Sequence, residues 1–297
     1  MATKTTATTN FPAPLVADIF NSVQGHSALA KLSGAKPIPF NGETVFTFSL
    51  GGEAAIVGEG ANKPAGDATI GPKTIRPVKF VYQHRVSDEF VRASNEGRLP
   101  YLQAFADGFA KKIARGMDIA AIHGVNPADL AAASFKTTNS FDGLITNIVN
   151  YAAATVDDNI DAAIAMVTGA DKAVNGVAMS PTAGSALSKI KVNGVVQYPE
   201  YRFGQNPNAF YGMGSDVNGT VSVKESGVTK ADHVLVGDFA NAFRWGYAAN
   251  IPLEVIEYGD PDGQGDLKRT NEVVLRGEAY IGWGILDANS FAVVREA

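Results

Sequence analysis

The sequence predicts an α+β fold, because it combines one long helical stripe with strictly alternating strands. Apolar residues recur at three- and four-residue steps from Leu102 to Ala120, which predicts a helix of roughly 24 residues, about 36 Å long. Asn271 to Trp283 instead alternates apolar and polar side chains, the period of a half-buried strand. The 31 Gly and 14 Pro among 297 residues indicate many turns between short elements.

An N-terminal arm is predicted over residues 1–38. Its first residues are rich in Thr and Ala, which is typical of an extended arm. Leu15, Ile19 and Val23 follow at four-residue steps and predict a short amphipathic helix. Beyond the arm, Thr44 to Leu50 alternates large apolar residues with smaller ones, which predicts a strand.

Residues 51–85 are predicted to form an extended hairpin. A tip rich in Gly, Pro and Asp, from Gly58 to Lys73, lies between two strand-like flanks, and the second flank alternates Val78, Phe80 and Tyr82. A loop of this length without a core of its own is either functional or disordered. On the local pattern alone, an ordinary surface hairpin explains these residues equally well.

The long helix is predicted to begin at Pro100, since proline favours the first helical turn. It is predicted to end at His123-Gly124, where a glycine cap is followed by a proline. Gly108 and Gly116 interrupt its stripe, and close packing against a sheet is the expected reason. The polar face carries a basic patch, interpreted as solvated or as the partner of an acidic loop: Lys111, Lys112 and Arg115.

The middle of the chain, residues 141–248, alternates short elements and is predicted to form an inserted domain. Residues 39–50, 86–140 and 249–297 then form a second domain, built from both ends of the chain. The predicted elements of the inserted domain are a helix with Ile160, Ile164 and Val167 capped by Asp157 or Asp158, a strand at Val174–Met179, a helix at Pro181–Ile190 and a long surface loop at Val192–Gly219.

Composition limits the function classes. The net charge of −5 gives no basic field of the kind that holds a nucleic-acid duplex through its phosphates. The absence of cysteine excludes disulfides, thiolate nucleophiles and Cys-ligated zinc. No uncharged apolar stretch approaches the ~20 residues that span a bilayer, and the first residues lack a signal-peptide pattern, so we expect a cytosolic protein and no membrane partner.

Motifs for metals and nucleophiles are sparse. His26, His84, His123 and His233 show no metal-binding spacing, so each is interpreted as solvated or at the edge of a core. Asp260 to Asp266 loosely matches a calcium loop, but its final glutamate is missing and Asx turns explain the aspartates. We therefore expect no metal, no cofactor and no catalytic site.

The last third of the chain reads GDFANAFRWG from Gly237, then IPLEVIEYGDPDGQGD, then NEVVLRGEAYIGWGILDANSFAVV. This segment resembles the closing part of the major capsid proteins of tailed bacteriophages, which have the Hong Kong 97 fold. At the end of the predicted long helix, His123 stands where that family usually has Asn. Further segments that resemble the family are Glu59-Gly60, Lys63-Pro64, Ser87-Asp88-Glu89-Phe90 and the passage from Phe141 to Thr146.

The resemblance implies a shell subunit and no enzyme. It implies an N-terminal arm, an extended hairpin called the E-loop, a peripheral domain with a long spine helix, and an inserted axial domain. Such subunits assemble through pentamers and hexamers into an icosahedral shell that encloses double-stranded DNA without sequence-specific binding. The implied partners are a scaffolding protein, a portal and, in some members, a decoration protein. Assembly in the bacterial host cytoplasm and a place in the virion follow from the same resemblance.

The scaffolding protein is expected to be separate, because the first family-like helix starts near Pro14. Two other functions stay open. The same fold can serve as the shell of a cellular nanocompartment that loads enzyme cargo, and packaged protein in place of packaged DNA would distinguish it. A soluble α+β enzyme would need a convergent polar site, and particle size would distinguish it.

Some members of the family cross-link their shells covalently. The cross-link is an isopeptide bond between a hairpin lysine and an asparagine, and a glutamate acts as the base. By resemblance, Asn271 and Glu278 fall on the Asn and Glu positions, and Lys63 or Lys73 could supply the amine. Asn271 and Glu278 lie about 23 Å apart on an extended strand, and on opposite faces unless Gly277 makes a bulge. Different subunits would therefore have to contribute the three groups.

A structural role explains the same two residues. In this alternative, Asn271 orders the acidic loop through Asx hydrogen bonds, and Glu278 pairs with Arg276 or with a neighbouring basic group.

Overall fold

The computed structural model describes residues 26–89, 95–248 and 253–297, so the helix predicted near Ile19 lies outside the described residues. Its helices are α1 (Ala28–Leu32), α2 (Asn95–His123), α3 (Lys136–Asn139), α4 (Phe141–Leu144), α5 (Val156–Thr168), α6 (Pro181–Leu187) and α7 (Leu267–Thr270). Its strands are β1 (Glu43–Gly51), β2 (Asp67–Ile75), β3 (Pro77–Ser87), β4 (Ile148–Asn150), β5 (Gly176–Met179), β6 (Lys191–Val192), β7 (Val195–Val196), β8 (Ala209–Phe210), β9 (Met213–Val217), β10 (Asp232–Gly237), β11 (Phe243–Tyr247), β12 (Leu253–Ile256), β13 (Glu272–Ile285) and β14 (Phe291–Arg295).

The long strand β13 organises a four-stranded antiparallel sheet. β3 pairs along one edge of β13, and β11 and β12 pair along the other edge. The predicted alternation is confirmed, because the apolar side chains of β13 are buried while Glu272, Arg276 and Glu278 are only half-buried. The strand begins at Glu272, one residue later than the sequence predicts, since Asn271 has left-handed backbone dihedrals.

The helix α2, which we call the spine helix, lies on this sheet and forms the first core with it. Phe109 of the spine helix and Trp283 of β13 are both fully buried. Where the two elements cross, a Cβ added to Gly277 would lie 2.8 Å from ring carbons of Phe109. Only glycine permits this approach of a strand to an aromatic ring.

The spine helix begins at Asn95, five residues before the predicted start at Pro100. Pro100 therefore lies in the second turn, where it lacks the N–H that would donate to the carbonyl four residues earlier, and the helix extends in front of it all the same. The predicted end at His123 is confirmed, and Gly124 follows with φ of +64°. Of the two interior glycines, only Gly116 approaches the sheet closely, because its added Cβ would lie 3.4 Å from the Phe80 ring.

The other interior glycine, Gly108, has no atom within 4 Å of an added Cβ, so the predicted close packing does not apply there.

A six-stranded mixed sheet has the strand order β4-β14-β10-β5-β9-β8. Successive residues of its strands face two different cores. Val234 and Val236 of β10 pack with α5 in the second core, whereas Leu235 packs in the first core. The sheet is therefore buried on both faces, and one of its faces belongs to each core.

The middle of the chain differs from its predicted details in two places. Thr155 is the N-cap residue of α5, and the predicted caps Asp157 and Asp158 lie in its first turn, where carboxylates stabilise the helix dipole. Within the predicted loop Val192–Gly219, the strand β9 pairs in parallel with β5. The C-terminal strand β14 also joins the six-stranded sheet, between β4 and β10.

The division of the chain into an arm, a hairpin, a peripheral and an axial domain stays a prediction.

Candidate functional site

The hairpin consists of β1 and β2, which pair in register from Glu43↔Ile75 to Gly51↔Asp67 as a separate two-stranded sheet. Its second arm therefore lies inside the predicted tip. The flank predicted around Phe80 belongs to β3, which is paired with β13 instead. The strand predicted at Thr44 to Leu50 is confirmed as the first arm.

One face of the hairpin is apolar and exposed. Phe48 lies opposite Ile70, and these two side chains are 63% and 64% exposed. Phe46, two residues away on the same strand, is 69% exposed and Leu50 is 74% exposed. Because residues two apart on a strand share a face, these four side chains form one apolar surface, which we call the hairpin face.

The connection between the arms, residues 52–66, is exposed at every position. It contains Lys63 and also Ile56, which is fully exposed. Lys73 lies on β2, opposite Val45, so its side chain projects from the face opposite to the hairpin face.

Backbone hydrogen bonds hold Asn271 in place. It lies in the left-handed conformation, with φ of 55°, at the end of α7, where its N–H donates to the Leu267 carbonyl. Its own carbonyl accepts from the Asp88 N–H at 2.9 Å. The Asx hydrogen bonds of this loop come from Asp262, which accepts from the Gln264 N–H, and from the N-cap of α7.

Glu278 pairs with Lys79 of the neighbouring strand at 2.8 Å, and not with Arg276. The register of β13 with β3 runs without interruption past Gly277, so no bulge brings Asn271 and Glu278 to one face. The hydrogen bond from Lys79 to Glu278 raises the pKa of the Lys79 amine. This amine stays charged, which makes it a poor nucleophile.

The acidic loop between β12 and α7 is built around Arg85 of β3. The Arg85 guanidinium donates to both carboxylate oxygens of Asp262, at 2.5 and 2.7 Å, and to Glu272 at 2.9 Å. It also donates to the Gly265 carbonyl at 2.7 Å. This pairing lowers the pKa of Asp262 to about 2. The guanidinium thus supplies the positive charge that the calcium-loop interpretation would assign to an ion.

A serine, a histidine and a carboxylate also meet near the end of β14. Ser180 Oγ lies 3.0 Å from His233 Nδ1, and His233 Nε2 lies 3.2 Å from a Glu296 carboxylate oxygen. Ser180 is fully buried and is the N-cap residue of α6, where its hydroxyl oxygen accepts from the Ala183 N–H. A substrate cannot reach this oxygen, so the group is structural.

The chain matches known capsid proteins over most of its length. The model of the Phage capsid family matches residues 11–295. The chain belongs to the phage capsid family. As a capsid protein it is a structural component of a virion shell and not an enzyme, and the predicted α+β capsid fold is confirmed.

Solved structures support the same assignment for this capsid protein. A structure from Mycobacterium phage Ogopogo is 36% identical, with a TM-score of 0.80 and 92% of each chain covered. One from Gordonia phage Cozz is 28% identical, with a TM-score of 0.74, covering 92% of this chain and 87% of that one. The capsid of an empty GTA particle, 16% identical with a TM-score of 0.62 and covering 92% and 90%, shares the fold. No curated protein matches the chain.

Among the helices of the described ranges, none is both long and apolar enough to cross a membrane.

The capsid protein contains a buried charged group that motif searches miss, which we call the His123 cluster: His123, Asp142, Asp232 and Arg295. Arg295 donates to Asp232 at 2.5 Å and to Asp142 at 2.6 Å, and His123 Nδ1 lies 3.0 Å from the other oxygen of Asp142. The imidazole and both carboxylates lie within 4.8 Å of one another, close enough to share a cation. Arg295 already supplies that cation.

The His123 cluster borders a cavity of about 170 Å³. Of the two interpretations of His123, solvated or at the edge of a core, the first is excluded because this side chain is only 2% exposed. No sequence spacing reveals the cluster, since its members come from four separate elements.

Asp118 of the spine helix is fully buried and accepts hydrogen bonds at both carboxylate oxygens. Its donors are the Ser27 hydroxyl, the N–H groups of Ala28 and Leu29 at the start of α1, and the Thr220 hydroxyl. Burial raises the pKa of Asp118 to about 6 against these bonds. The sequence signal is a single carboxylate in an apolar run, GMDIAAI.

Proposed function

We propose that this capsid protein assembles through pentamers and hexamers into an icosahedral shell that encloses phage double-stranded DNA. The observation that supports it is the hairpin face. An isolated two-stranded hairpin is only marginally stable in water, and a contiguous exposed apolar surface marks an interaction site. A second copy of the chain that covers the hairpin face would bury this surface and stabilise both arms.

The negative charge of the chain fits enclosure of DNA without tight binding. A net charge of −5 gives the chain no overall attraction for the phosphates of a duplex, which fits enclosure without sequence-specific contacts. By the family resemblance, a scaffolding protein guides assembly in the host cytoplasm, a portal occupies one vertex, and decoration proteins bind outside in some members.

The hairpin face gives a direct test. The double substitution Phe46→Ser and Phe48→Ser removes half of the apolar surface without touching either core, so we expect folded protein that no longer forms rings or shells. Lys73→Ser, on the opposite face of the hairpin, is the matched control and should assemble normally. Gel filtration, negative-stain imaging and circular dichroism measure assembly and folding separately.

Two outcomes contradict the proposal. One is normal shell formation by the Phe46→Ser, Phe48→Ser protein. The other is particles from infected cells that hold enzyme cargo and no nuclease-resistant DNA, which would indicate a nanocompartment of the same fold.

The cross-link between Lys63 or Lys73 and Asn271, with Glu278 as base, remains a proposal from the resemblance. It requires contact between copies, because the register of β13 keeps Asn271 and Glu278 apart in one chain. It also requires Glu278 to leave its ion pair with Lys79.

A further inference from the structure

The His123 cluster connects the ends of four elements. His123 ends the spine helix, Asp142 lies in α4, Asp232 begins β10 and Arg295 ends β14. Asp232 and Arg295 are also cross-strand partners at the last position of the β10–β14 ladder, where the register shifts. The charge state of the cluster therefore acts on the terminal strand, at the weakest point of its pairing.

The geometry fixes where the protons of His123 must lie. Its Nε2 atom is 2.9 Å from the Thr220 carbonyl oxygen, which can only accept, so Nε2 carries a proton. Its Nδ1 atom then faces Asp142 Oδ2 at 3.0 Å and Asp232 Oδ2 at 3.8 Å. A bare Nδ1 lone pair would repel a carboxylate at this distance. The cluster must hold one proton between the imidazole and the two carboxylates.

The same proton balances the charges. With it, the positive charges of His123 and Arg295 meet the negative charges of Asp142 and Asp232, and the cluster is neutral. Without it, one negative charge remains on a cluster whose Asp232 side chain is only 4% exposed. A buried charge without a compensating partner is unfavourable unless the surroundings open to water.

The remaining charged groups around the cluster have partners of their own or lie at the cavity rim. Lys136 pairs with Glu225, and Lys224 donates to the Thr229 carbonyl and lies 3.6 Å from Glu296. Glu296 also pairs with His233, one residue beyond Asp232. The charged side chains that line the adjoining cavity outside the cluster are Lys136, Lys224, Glu225 and Lys230.

We propose that the His123 cluster is a proton-dependent latch on the terminal strand. While the cluster holds its proton, Arg295 stays bound to both carboxylates and the end of β14 stays paired with β10. When the proton leaves, the buried negative charge is relieved by opening the last residues of β14 to water.

The direction of the titration agrees with this latch. Burial and its neighbour Asp142 raise the pKa of Asp232 to about 7, and the carboxylates raise the pKa of His123. A group with a raised pKa stabilises the closed form at low pH and loses that contribution as the pH rises through the raised value. The shared proton belongs to the cluster, so release is expected above about pH 7.

Hydrogen exchange of the full-length protein tests the latch. The measured quantity is the protection factor of the peptide 291–297 between pH 6.5 and 8.5, corrected for the intrinsic exchange rate. Because one proton leaves on opening, protection should fall by up to about tenfold per pH unit as the pH rises toward the pKa of the closed cluster, and it should level off above that value. Asp232→Asn removes one of the two negative charges, so loss of the proton then leaves a neutral cluster, and protection should fall less over this range than in the natural protein.

His84→Asn is the matched control, since His84 is an exposed histidine on β3 and should leave the pH dependence unchanged. Constant protection in the natural protein overturns the latch, and so does an equal slope in Asp232→Asn. Protection that rises on addition of Zn²⁺ to the natural protein and not to Asp232→Asn would show that a metal cation, and not a proton, occupies the cluster.

A second measurement keeps the test valid if Asp232→Asn does not fold. Nuclear magnetic resonance of the natural protein with labelled histidine follows the His123 ring directly. Its signal should change with the same midpoint as the protection factor. A His123 signal that stays constant from pH 6.5 to 8.5 overturns the proposal.

Discussion

Single side chains of this capsid protein fix contacts that its periodicity cannot specify. Asp118 shows this best, because one carboxylate on the spine helix accepts from two backbone N–H groups of α1 and from two hydroxyls. A buried carboxylate with this many donors positions the short helix α1 on the spine helix. Its role is thus to attach the segment that precedes the hairpin.

Asp118→Asn should destabilise the protein by about 1–3 kcal/mol, because the amide places a donor where the carboxylate accepts. Urea unfolding followed by circular dichroism measures the change. Asp107→Asn, at an exposed position of the same helix, is the control and should stay within about 0.5 kcal/mol of the natural protein. Equal stability of the two variants would contradict the attachment role.

The cross-link proposal is also decided by single residues. Glu278 can act as a base only after it leaves Lys79, so we expect Lys79→Ala to increase the fraction of cross-linked chains and Glu278→Gln to abolish it. Denaturing electrophoresis of mature particles shows the products as a ladder. A single band at 31.1 kDa in the natural protein would rule the cross-link out and leave Asn271 and Glu278 with structural roles.

At the scale of elements, the close crossing of β13 and the spine helix requires a glycine. The hairpin is held together by the pairing of β1 with β2. Gly277 has no room for a side chain beside Phe109, and Gly108 has free space around it. The two glycines lie on packed elements of the same core region, yet only one of them is required by packing.

Gly277→Ala should therefore destabilise the protein by about 1–3 kcal/mol, since an added methyl group overpacks the core. Gly108→Ala should stabilise it by about 0.5–1 kcal/mol, because alanine has less backbone freedom to lose in a helix. Thermal and urea unfolding of both variants provide the comparison. A stabilised Gly277→Ala protein would show that the helix and the strand can separate without cost.

Deletion of the hairpin tip separates folding from assembly. Replacing residues 53–65 with an Asn-Gly turn removes only exposed residues and keeps both arms of the hairpin. A deletion that extends into β2 would remove part of the second arm. We expect unchanged unfolding and a loss of contacts between copies. If helix content and assembly fall together, the tip is part of the folding unit.

At the scale of the whole molecule, two cores share the six-stranded sheet, and the His123 cluster connects the end of the spine helix to this sheet. The pKa of Asp142 is lowered to about 2 by His123 and Arg295 despite its burial, so its contribution to stability is present above its usual value and is lost as the pH falls through about 2. The proton of the His123 cluster acts in the opposite direction, because its contribution to stability is lost as the pH rises through about 7.

The unfolding midpoint in urea should therefore be highest at about pH 4. It should fall toward pH 2 as Asp142 takes up a proton, and it should fall toward pH 7 because Asp118 and Asp232 lose their protons at lower pH in the unfolded chain than in the folded protein. A series of urea titrations from pH 2 to 9 measures it. A midpoint that rises from pH 4 to 7 would contradict the assignment of a bound proton to the cluster.

The sequence by itself determined the elements whose signal is local. The stripe from Phe105 to Ala120 and the alternation of β13 gave the spine helix and its strand, because burial on one face repeats with the period of the backbone. The terminal motifs indicated the capsid family for the same reason, since they are contiguous in the chain.

Only the tertiary structure decided how distant segments pair. It placed β14 beside β10, made β2 the second arm of the hairpin, and brought His123 to Asp232 and Arg295. Strand partners and buried ion pairs are set by contacts between residues far apart in sequence, and the spacing of residue types along a chain carries no record of them.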